Sequence, residues 1–292
     1  MLQSNRRKDL LLGYASITPI IIIIFVVIGV PFVNALYLSL TDKTVGAEPN
    51  FIGFDNYVQN FSDPIYWKVL KNTFIYFITD VSFKLVIGMI FALTLTQAFY
   101  GRSIVRVLFL VPWAISGMVA AMTWKWMYND TYGIFNQLLL EFGIIDIPIA
   151  WLSGPKMALV SVIIVNIWRG IPFFLFSILG ALQTIDKQLY EAAKIDGAGP
   201  VRRFISVTIP SISSVIIITT MLSSIWTFND FENIYLITGG GPLYNSAVIS
   251  VYTYEVAFLQ NEMGRSLSVA GSVIPILLVL MFFMTRRLAR DD

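Results

Sequence analysis

Four residues that can bind polar ligands recur at helical spacing in an apolar stretch: Ser223, Trp226, Thr227 and Asp230. Spacings of three and four residues place them on one face of a helix. Hydroxyl and carboxylate groups can hydrogen-bond the hydroxyls of a sugar, and an indole ring can pack against its C–H face. The alternative is an ordinary helix–helix interface, because Ser and Thr also allow close helix packing.

A lone arginine interrupts another apolar stretch, at Arg169. A charge at the centre of a bilayer costs roughly 2.5–3.5 kcal/mol on insertion scales, so such residues usually face a cavity or a partner. Arg169 can therefore contact a substrate, including an anionic one, or pair with a carboxylate or a helix C-terminus for packing. Asp80 and Lys84 also interrupt an apolar stretch, and their spacing of four residues favours a structural pair on one helix face.

Several kinds of chemistry are excluded by residue types that the chain lacks. It contains no Cys and no His, which excludes disulfides, thiol chemistry and the commonest zinc, haem and triad sites. The glycine run at residues 239–242 lacks the lysine of a nucleotide-binding phosphate loop. We therefore expect no catalytic residue, no cofactor site and no metal site, and the chain is not expected to be an enzyme.

The composition indicates the elements that position these residues. Of the 292 residues, 57% are hydrophobic and 13% are charged, whereas soluble proteins have about 45–50% apolar and about 25% charged residues. We therefore predict an all-α membrane protein with a single transmembrane domain over residues 1–292. Charge-poor stretches predict six transmembrane helices, at about residues 10–41, 72–98, 107–127, 157–182, 211–236 and 267–285.

Basic residues indicate the orientation of these six helices. Twelve lie at the two termini and in the loops after the second and fourth spans, against five in the other loops. The positive-inside rule then places both termini in the cytoplasm. Aromatic residues in or beside the outside loops suit anchoring at the membrane interface; they are Trp67, Trp124, Trp126, Tyr128 and Trp151.

The connection between the fourth and fifth spans has the signals of two helices. Thr184 or Asp186 can cap the first helix, and Gly197 can end it. Pro200 suits the first turn of a second helix, and Pro210 is expected to redirect the chain into the fifth span. From spacing alone, an amphipathic hairpin on the bilayer surface is an equal alternative.

This connection resembles the EAA loop of the permease subunits of ABC importers. The family pattern is Glu-Ala-Ala, three residues, Gly, nine residues and Ile-x-Leu-Pro. Here Glu191, Ala192 and Ala193 are followed by three residues, Gly197, nine residues and Val-Thr-Ile-Pro at positions 207–210. The two departures, valine for isoleucine and isoleucine for leucine, conserve volume and polarity.

Two further segments, residues 51–73 and 228–242, resemble carbohydrate-type permeases of the MalF/UgpA-like branch. The resemblance implies the type I ABC importer permease fold and a cytoplasmic coupling loop over residues 184–210. The residues that it assigns to ATPase coupling are Glu191, Ala192, Ala193, Asp196 and Gly197. Those that it assigns to the substrate pathway are Arg169, Gly170, Phe173, Ser223, Trp226, Thr227 and Asp230.

The resemblance also implies partners and a location in the cell membrane. The partners are a second six-span permease, a cytoplasmic ATPase dimer that uses ATP and Mg²⁺, an extracytoplasmic solute-binding protein, a sugar or oligosaccharide, and membrane lipid, with no nucleic acid. Arg169 is not the usual residue of the family, so an importer of glycerol phosphate or a related anionic solute stays open. A self-sufficient secondary transporter is a more distant alternative, because we find no repeated halves.

Overall fold

A computed structural model describes the backbone of residues 2–291 and the side chains of residues 13–288. The regular structure in this range is helical, apart from one isolated bridge between Thr41 and Phe51. The basic side chains of Arg6, Arg7, Lys8 and Arg290, which contribute to the predicted orientation, lie outside the described side chains. The α-helices are α1 (Leu2–Ile24), α2 (Val30–Leu38), α3 (Asp55–Ser62), α4 (Pro64–Thr96), α5 (Arg102–Ala114), α6 (Gly117–Met127), α7 (Ile134–Glu141), α8 (Met157–Gln183), α9 (Lys187–Ile195), α10 (Pro200–Arg203), α11 (Ile209–Ser211), α12 (Ser213–Phe228), α13 (Glu232–Ile237), α14 (Ile249–Tyr254) and α15 (Met263–Asp291). Three π-helical segments connect or extend them, at Phe25–Gly29, Phe204–Thr208 and Glu255–Leu259.

Four helices in the described range are long and apolar enough to cross a membrane. They cover Gly13–Leu38, Pro64–Thr96, Met157–Gln183 and Met263–Leu288. Two bent pairs also qualify, if each pair is counted as one span: Arg102–Ala114 with Gly117–Met127, and Pro200–Ser211 with Ser213–Phe228. The all-helical prediction is confirmed, and the number of candidate spans is four to six.

The second predicted span is longer than the apolar pattern indicates. Helix α4 begins at Pro64 instead of near residue 72, because Asp63 caps it by accepting a hydrogen bond from the Ile65 amide at 2.8 Å. Pro64 at the first helical position needs no intrahelical hydrogen-bond donor. The cap at Asp63 and the proline that follows it therefore start the helix ahead of the predicted span.

The third and fifth predicted spans are interrupted. Ile115 and Ser116 have extended backbone, and the chain bends there by 94° between α5 and α6. The helix predicted over residues 211–236 ends at Phe228, and α13 begins at Glu232 after a short break. One of the predicted site residues, Asp230, lies in the second of these breaks.

The chain forms two compact units, each described by itself. The first comprises residues 2–62 and 253–273. In it, the amide of Asn56 donates to the carbonyls of Ser39 and Thr41 at 2.9 and 2.8 Å, and Arg265 donates to Asn60 at 2.9 Å. The most apolar window of Gly13–Leu38 contains no buried side chain among those described. This helix therefore presents its apolar surface outward.

The second unit comprises residues 63–252 and 274–291 and contains the predicted site residues. Helices α4 and α8 run so close together that a Cβ atom on Gly88 would lie only 2.5 Å from the Cβ of Phe174. Phe174, Leu175 and Ile178 are fully buried there. Helices α5 and α12 also pack against α8, and α6 packs against α13. This core fixes the positions of the four helices around the site.

Three of the aromatic residues predicted to anchor the membrane interface pack together in the second unit, where Tyr128 is buried and Trp124 and Trp151 are partly buried. Trp124, Tyr128 and Trp151 form a cluster with Phe135, with ring centroids 5.1–6.2 Å apart. The prediction is wrong for Tyr128, which is only 2% exposed. Trp67 and Trp126 are exposed, as interfacial residues would be.

Candidate functional site

A pocket of about 240 Å³ in the second unit is lined by all seven residues predicted for the substrate pathway. Helices α4, α5, α8 and α12, with the break after α12, supply its walls. The complete lining is Lys84, Trp113, Asn166, Arg169, Gly170, Phe173, Ser223, Trp226, Thr227 and Asp230. The structure therefore brings together residues from two distant predicted spans.

One wall of the pocket is the polar face of α12. Ser223 and Thr227 are buried on this face, whereas Trp226 is 54% exposed. The ring of Trp226 meets that of Phe173 from α8 at a centroid distance of 4.9 Å and an angle of 61°. This edge-to-face pair forms an aromatic surface beside the hydroxyl groups, which suits a ligand with both polar and apolar faces.

The predicted pair of Asp80 and Lys84 is present and buried, with its charged atoms 2.5 Å apart. The hydroxyl of Thr227 donates to Asp80 at 2.7 Å, and the Lys84 ammonium lies 3.5 Å from the same hydroxyl. The second carboxylate oxygen of Asp80 has no hydrogen-bond partner in the described part of the chain. Thr227 thus links α12 to the ion pair on α4, in addition to lining the pocket.

Gly170 allows the Lys84 side chain to reach the pocket. A Cβ atom at position 170 would lie 2.2 Å from Cε and 2.8 Å from Nζ of Lys84. Such distances do not occur between real atoms, so any larger residue would displace the lysine. Gly170 therefore leaves space for the Lys84 side chain to approach the backbone of α8. The sequence around position 170 does not show this approach.

Asp230 lies in the break after α12 and is held by three neighbours. The hydroxyl of Tyr76 donates to its carboxylate, and the amide of Asn233 donates to the other carboxylate oxygen at 3.3 Å. The hydroxyl of Ser250 donates to its backbone carbonyl at 2.7 Å. Sequence reasoning missed Tyr76, although its spacing of four residues from Asp80 places both on one face of α4.

Arg169 is half-buried and lines the pocket. A Cβ atom on Gly117, next to the α5–α6 bend, would lie 3.0 Å from both terminal nitrogens of Arg169 and 2.4 Å from the carboxylate of Glu232. Both charged groups therefore face this glycine, yet Arg169 forms no ion pair among the described side chains. Glu232 faces the same glycine and Asp230 lines the same pocket, so both predicted roles of Arg169, substrate contact and packing, stay predictions.

The predicted coupling loop begins with a short, well-capped helix. Asp186, and not Thr184, caps α9 by accepting a hydrogen bond from the Gln188 amide at 2.9 Å. Gly197 ends the helix at φ +76°. The amides of Gly197 and Ala198 donate to the carbonyls of residues 194 and 193, the Schellman pattern of a glycine-terminated helix.

The residues predicted to couple this loop to an ATPase lie together on its surface. Glu191, Ala192, Asp196 and Gly197 are exposed, and Ala193 is half-buried. The hydroxyls of Tyr190 and Thr208 are 2.9 Å apart and join α9 to the π-helical segment that follows α10. The helix then continues past Pro210, and the chain turns by 69° at Ile212, two residues later than predicted.

Comparisons with known proteins show which family this chain resembles. The profile of a family described as binding-protein-dependent transport system inner membrane component matches residues 84–290. The trehalose/maltose transport system permease protein MalF of Thermococcus litoralis is 33% identical over 286 residues, which cover 97% of this chain and 96% of that protein. The sulfoquinovosyl glycerol transport system permease protein SmoG of Agrobacterium fabrum is 33% identical over 265 residues, covering 89% and 85% of the two chains.

A solved structure shows the same fold. It is a bacterial alginate ABC transporter in complex with an alginate pentasaccharide-bound periplasmic protein. One of its chains superposes with a TM-score of 0.82 over 99% of this chain and 97% of that chain, at 23% sequence identity. The second unit with its pocket thus lies within a fold that a transport complex uses.

Proposed function

The chain belongs to the binding-protein-dependent transport system inner membrane components, and from this membership we propose that it forms half of the substrate pathway of a sugar importer in the cell membrane. The observation that carries the proposal is the pocket in which an aromatic pair, buried hydroxyls and two opposite charges meet. In this proposal the chain acts as a permease, and ATP and Mg²⁺ act in a separate ATPase subunit.

The proposed arrangement in the membrane has six spans, with both termini in the cytoplasm. Each bent helix pair counts as one span, and an even number of spans puts both ends on one side. The excess of basic residues at the termini and in the coupling loop supports the cytoplasmic side. The partners are then a second six-span permease, an ATPase dimer below the coupling loop and a solute-binding protein on the opposite side.

We propose a neutral sugar or oligosaccharide as the substrate. Lys84 is neutralised by Asp80 at 2.5 Å, so Arg169 and Asp230 remain as one positive and one negative group in the pocket lining. The carboxylate can accept hydrogen bonds from sugar hydroxyls, and the guanidinium can donate hydrogen bonds to them. Because the two charges are opposite, together they favour a neutral ligand. The name of the relative MalF, a trehalose/maltose permease, supports this choice.

A second candidate is an anionic solute, such as an acidic sugar or glycerol phosphate. It is favoured by the absence of an ion pair of Arg169 within the described side chains, which leaves its guanidinium available to a carboxylate, sulfonate or phosphate. SmoG is named for sulfoquinovosyl glycerol, and the superposed transporter is an alginate transporter in complex with an alginate pentasaccharide-bound periplasmic protein. In this case the attraction of the anion to Arg169 would have to outweigh its repulsion by the carboxylates of Glu232 and Asp230.

The coupling loop offers a mechanical route from an ATPase to the pocket. The exposed helix α9 would dock on the ATPase, and its Tyr190 contacts Thr208 at 2.9 Å. The chain runs from Thr208 through the bend at Ile212 into α12, which carries Ser223, Trp226 and Thr227. Movement of α9 would therefore tilt the polar wall of the pocket and open it to one side or the other.

Uptake measurements on the complete complex test the proposal. The chain, its partner permease, the ATPase and the binding protein are reconstituted in proteoliposomes, and ATP-dependent uptake of labelled maltose, trehalose and sulfoquinovosyl glycerol is measured. We expect Trp226→Ala to lower uptake of the preferred sugar by about 3- to 10-fold, which corresponds to the free energy lost with one aromatic contact. Trp126→Ala is the matched control, because Trp126 is also exposed but does not line the pocket.

Each result has a defined meaning. Preference for the neutral sugars supports the first candidate, and preference for the sulfonated one supports the second. Equal uptake by the Trp226 and Trp126 variants would remove the pocket from the substrate pathway. Assembly of both variants is checked by recovery of all subunits, so that a folding defect is not taken for a transport defect.

A further inference from the structure

A second and larger cavity, of about 960 Å³, lies where several helix ends of the second unit meet. The end of α4, the start of α5, the end of α8 and the two helices of the coupling loop form its walls. None of its lining residues lines the pocket described above. Neither sugar binding nor ATPase docking accounts for it.

The charged groups of this cavity are all positive. Arg102 and Arg106 come from α5, Lys187 from α9 and Arg203 from α10. No Asp or Glu contributes to the lining in the part of the chain that the structure describes. Four cations without a lining carboxylate produce a field that attracts anions.

Three of these cations have a buried donor that lacks a partner. The Nε atoms of Arg102, Arg106 and Arg203 are buried and make no hydrogen bond to any described residue. Burying a polar group without a hydrogen bond costs free energy, and the cost is greater beside other like charges. A ligand that accepts from several guanidinium groups at once would remove this cost.

We propose that this cavity binds a phosphate-bearing anion, either the headgroup of an anionic phospholipid or a free phosphate ester. Phosphate offers several acceptor oxygens, which match guanidinium donors that arrive from different helices. The same cavity is lined by apolar groups, including Leu93 and Phe204, that suit the apolar part of a lipid. Basic pockets between membrane helices on the cytoplasmic side are known to accept lipid headgroups.

The anion also has a structural consequence for the coupling loop. Arg102 and Arg106 belong to α5, whereas Lys187 and Tyr190 belong to α9. An anion between them bridges the coupling helix to the membrane helices. Its binding therefore restrains the position of α9 and sets how readily the loop follows an ATPase.

Ligand titration of the full chain, purified in mild detergent with its associated subunits, tests this site. The probes are dihexanoyl phosphatidylglycerol, dihexanoyl phosphatidylcholine and inorganic phosphate, and native mass spectrometry counts the probe molecules retained on the chain. We expect saturable retention of phosphatidylglycerol and not of phosphatidylcholine. Arg106→Gln and Arg203→Gln are each expected to weaken it about tenfold, the effect of one charge-assisted hydrogen bond.

Arg287→Gln is the matched control, because Arg287 is an exposed arginine outside the cavity. Displacement of phosphatidylglycerol by inorganic phosphate at similar concentration assigns the site to free phosphate esters, and failure of displacement assigns it to the lipid headgroup. Equal retention of both lipids, or equal loss in the Arg106 and Arg287 variants, overturns the proposal. If Arg106→Gln does not fold, Arg203→Gln keeps the test decisive. Arg203 ends the short helix α10 of the coupling loop and does not belong to a long apolar helix.

Discussion

At the scale of single residues, the pocket depends on a glycine that leaves space for a charge. Lys84 extends across α8 at Gly170, forms the 2.5 Å pair with Asp80 and meets Thr227. Breaking a buried ion pair by moving one partner leaves the other charge uncompensated, which costs about 3–5 kcal/mol. The four residues 80, 84, 170 and 227 therefore act as one unit that joins α4, α8 and α12.

Gly170→Ala is expected to abolish most transport and to lower thermal stability. The new Cβ would lie 2.2 Å from Cε of Lys84, so the end of the lysine side chain must move, and we expect this to weaken its pair with Asp80. Gly180→Ala is the control on the same helix, because nothing lies within 4 Å of its added Cβ. The melting temperature of each purified complex and its uptake rate are the measurements. Similar values for the two variants would show that Lys84 does not depend on position 170.

At the scale of elements, local signals and tertiary contacts differ in what they determine. The ends of α9 could be predicted, because Asp186 and Gly197 act through hydrogen bonds within a few residues. The bend at residues 115–116 and the break at 229–231 could not. The bend lies beside Gly117, which faces groups from α8 and α13, and such contacts leave no periodic pattern in the sequence. The seven residues predicted for the pathway could be named from motif resemblance and share one pocket, whereas Tyr76, Trp113 and Asn166 could be found only from tertiary contacts.

Gly197→Val is expected to uncouple ATP hydrolysis from transport. Gly197 has φ +76°, a left-handed conformation that costs residues other than glycine roughly 1–2 kcal/mol. The valine would shift the end of α9 and misplace Glu191, so we expect about fivefold fewer sugar molecules carried per ATP hydrolysed. Both rates are measured on the same proteoliposomes.

Gly199→Val serves as the control for this change. Gly199 lies in the same loop at φ −67°, and a Cβ there meets nothing within 4 Å. A ratio close to that of the unmodified protein is expected for it. If Gly197→Val kept the same ratio as well, the loop would not transmit movement through the angle at residue 197.

At the scale of the whole molecule, composition determined more than any motif. The hydrophobic fraction of 57% predicted a helical membrane protein, and the helices of the described range confirm it. Composition did not predict that Tyr128 would be buried in the core of the second unit with Trp124 and Trp151 packed against it. Trp124 and Trp126 are only two residues apart, yet Trp124 is partly buried and Trp126 is exposed, so packing separates them.

The proposed orientation can be tested with a chemical label, because the chain has no cysteine of its own. Lys156→Cys and Ser206→Cys each introduce one thiol at an exposed position. In intact cells a membrane-impermeant maleimide is expected to label Lys156→Cys and to leave Ser206→Cys unlabelled. After permeabilisation both should react, which controls for accessibility. Labelling of Ser206→Cys in intact cells would place the coupling loop outside and reverse the topology.

The close approach of Lys84 to Gly170 also limits the order in which mutations can accumulate at this pocket. A larger residue at position 170 displaces the end of Lys84 from its place beside Asp80 unless residue 84 has already become shorter. Shortening residue 84 first strands the buried carboxylate of Asp80, unless Asp80 has already lost its charge. Neutralising Asp80 first would in turn leave the Lys84 ammonium buried without its partner, so a lineage that changes its substrate through these positions must change residues 80 and 84 together and fill position 170 last.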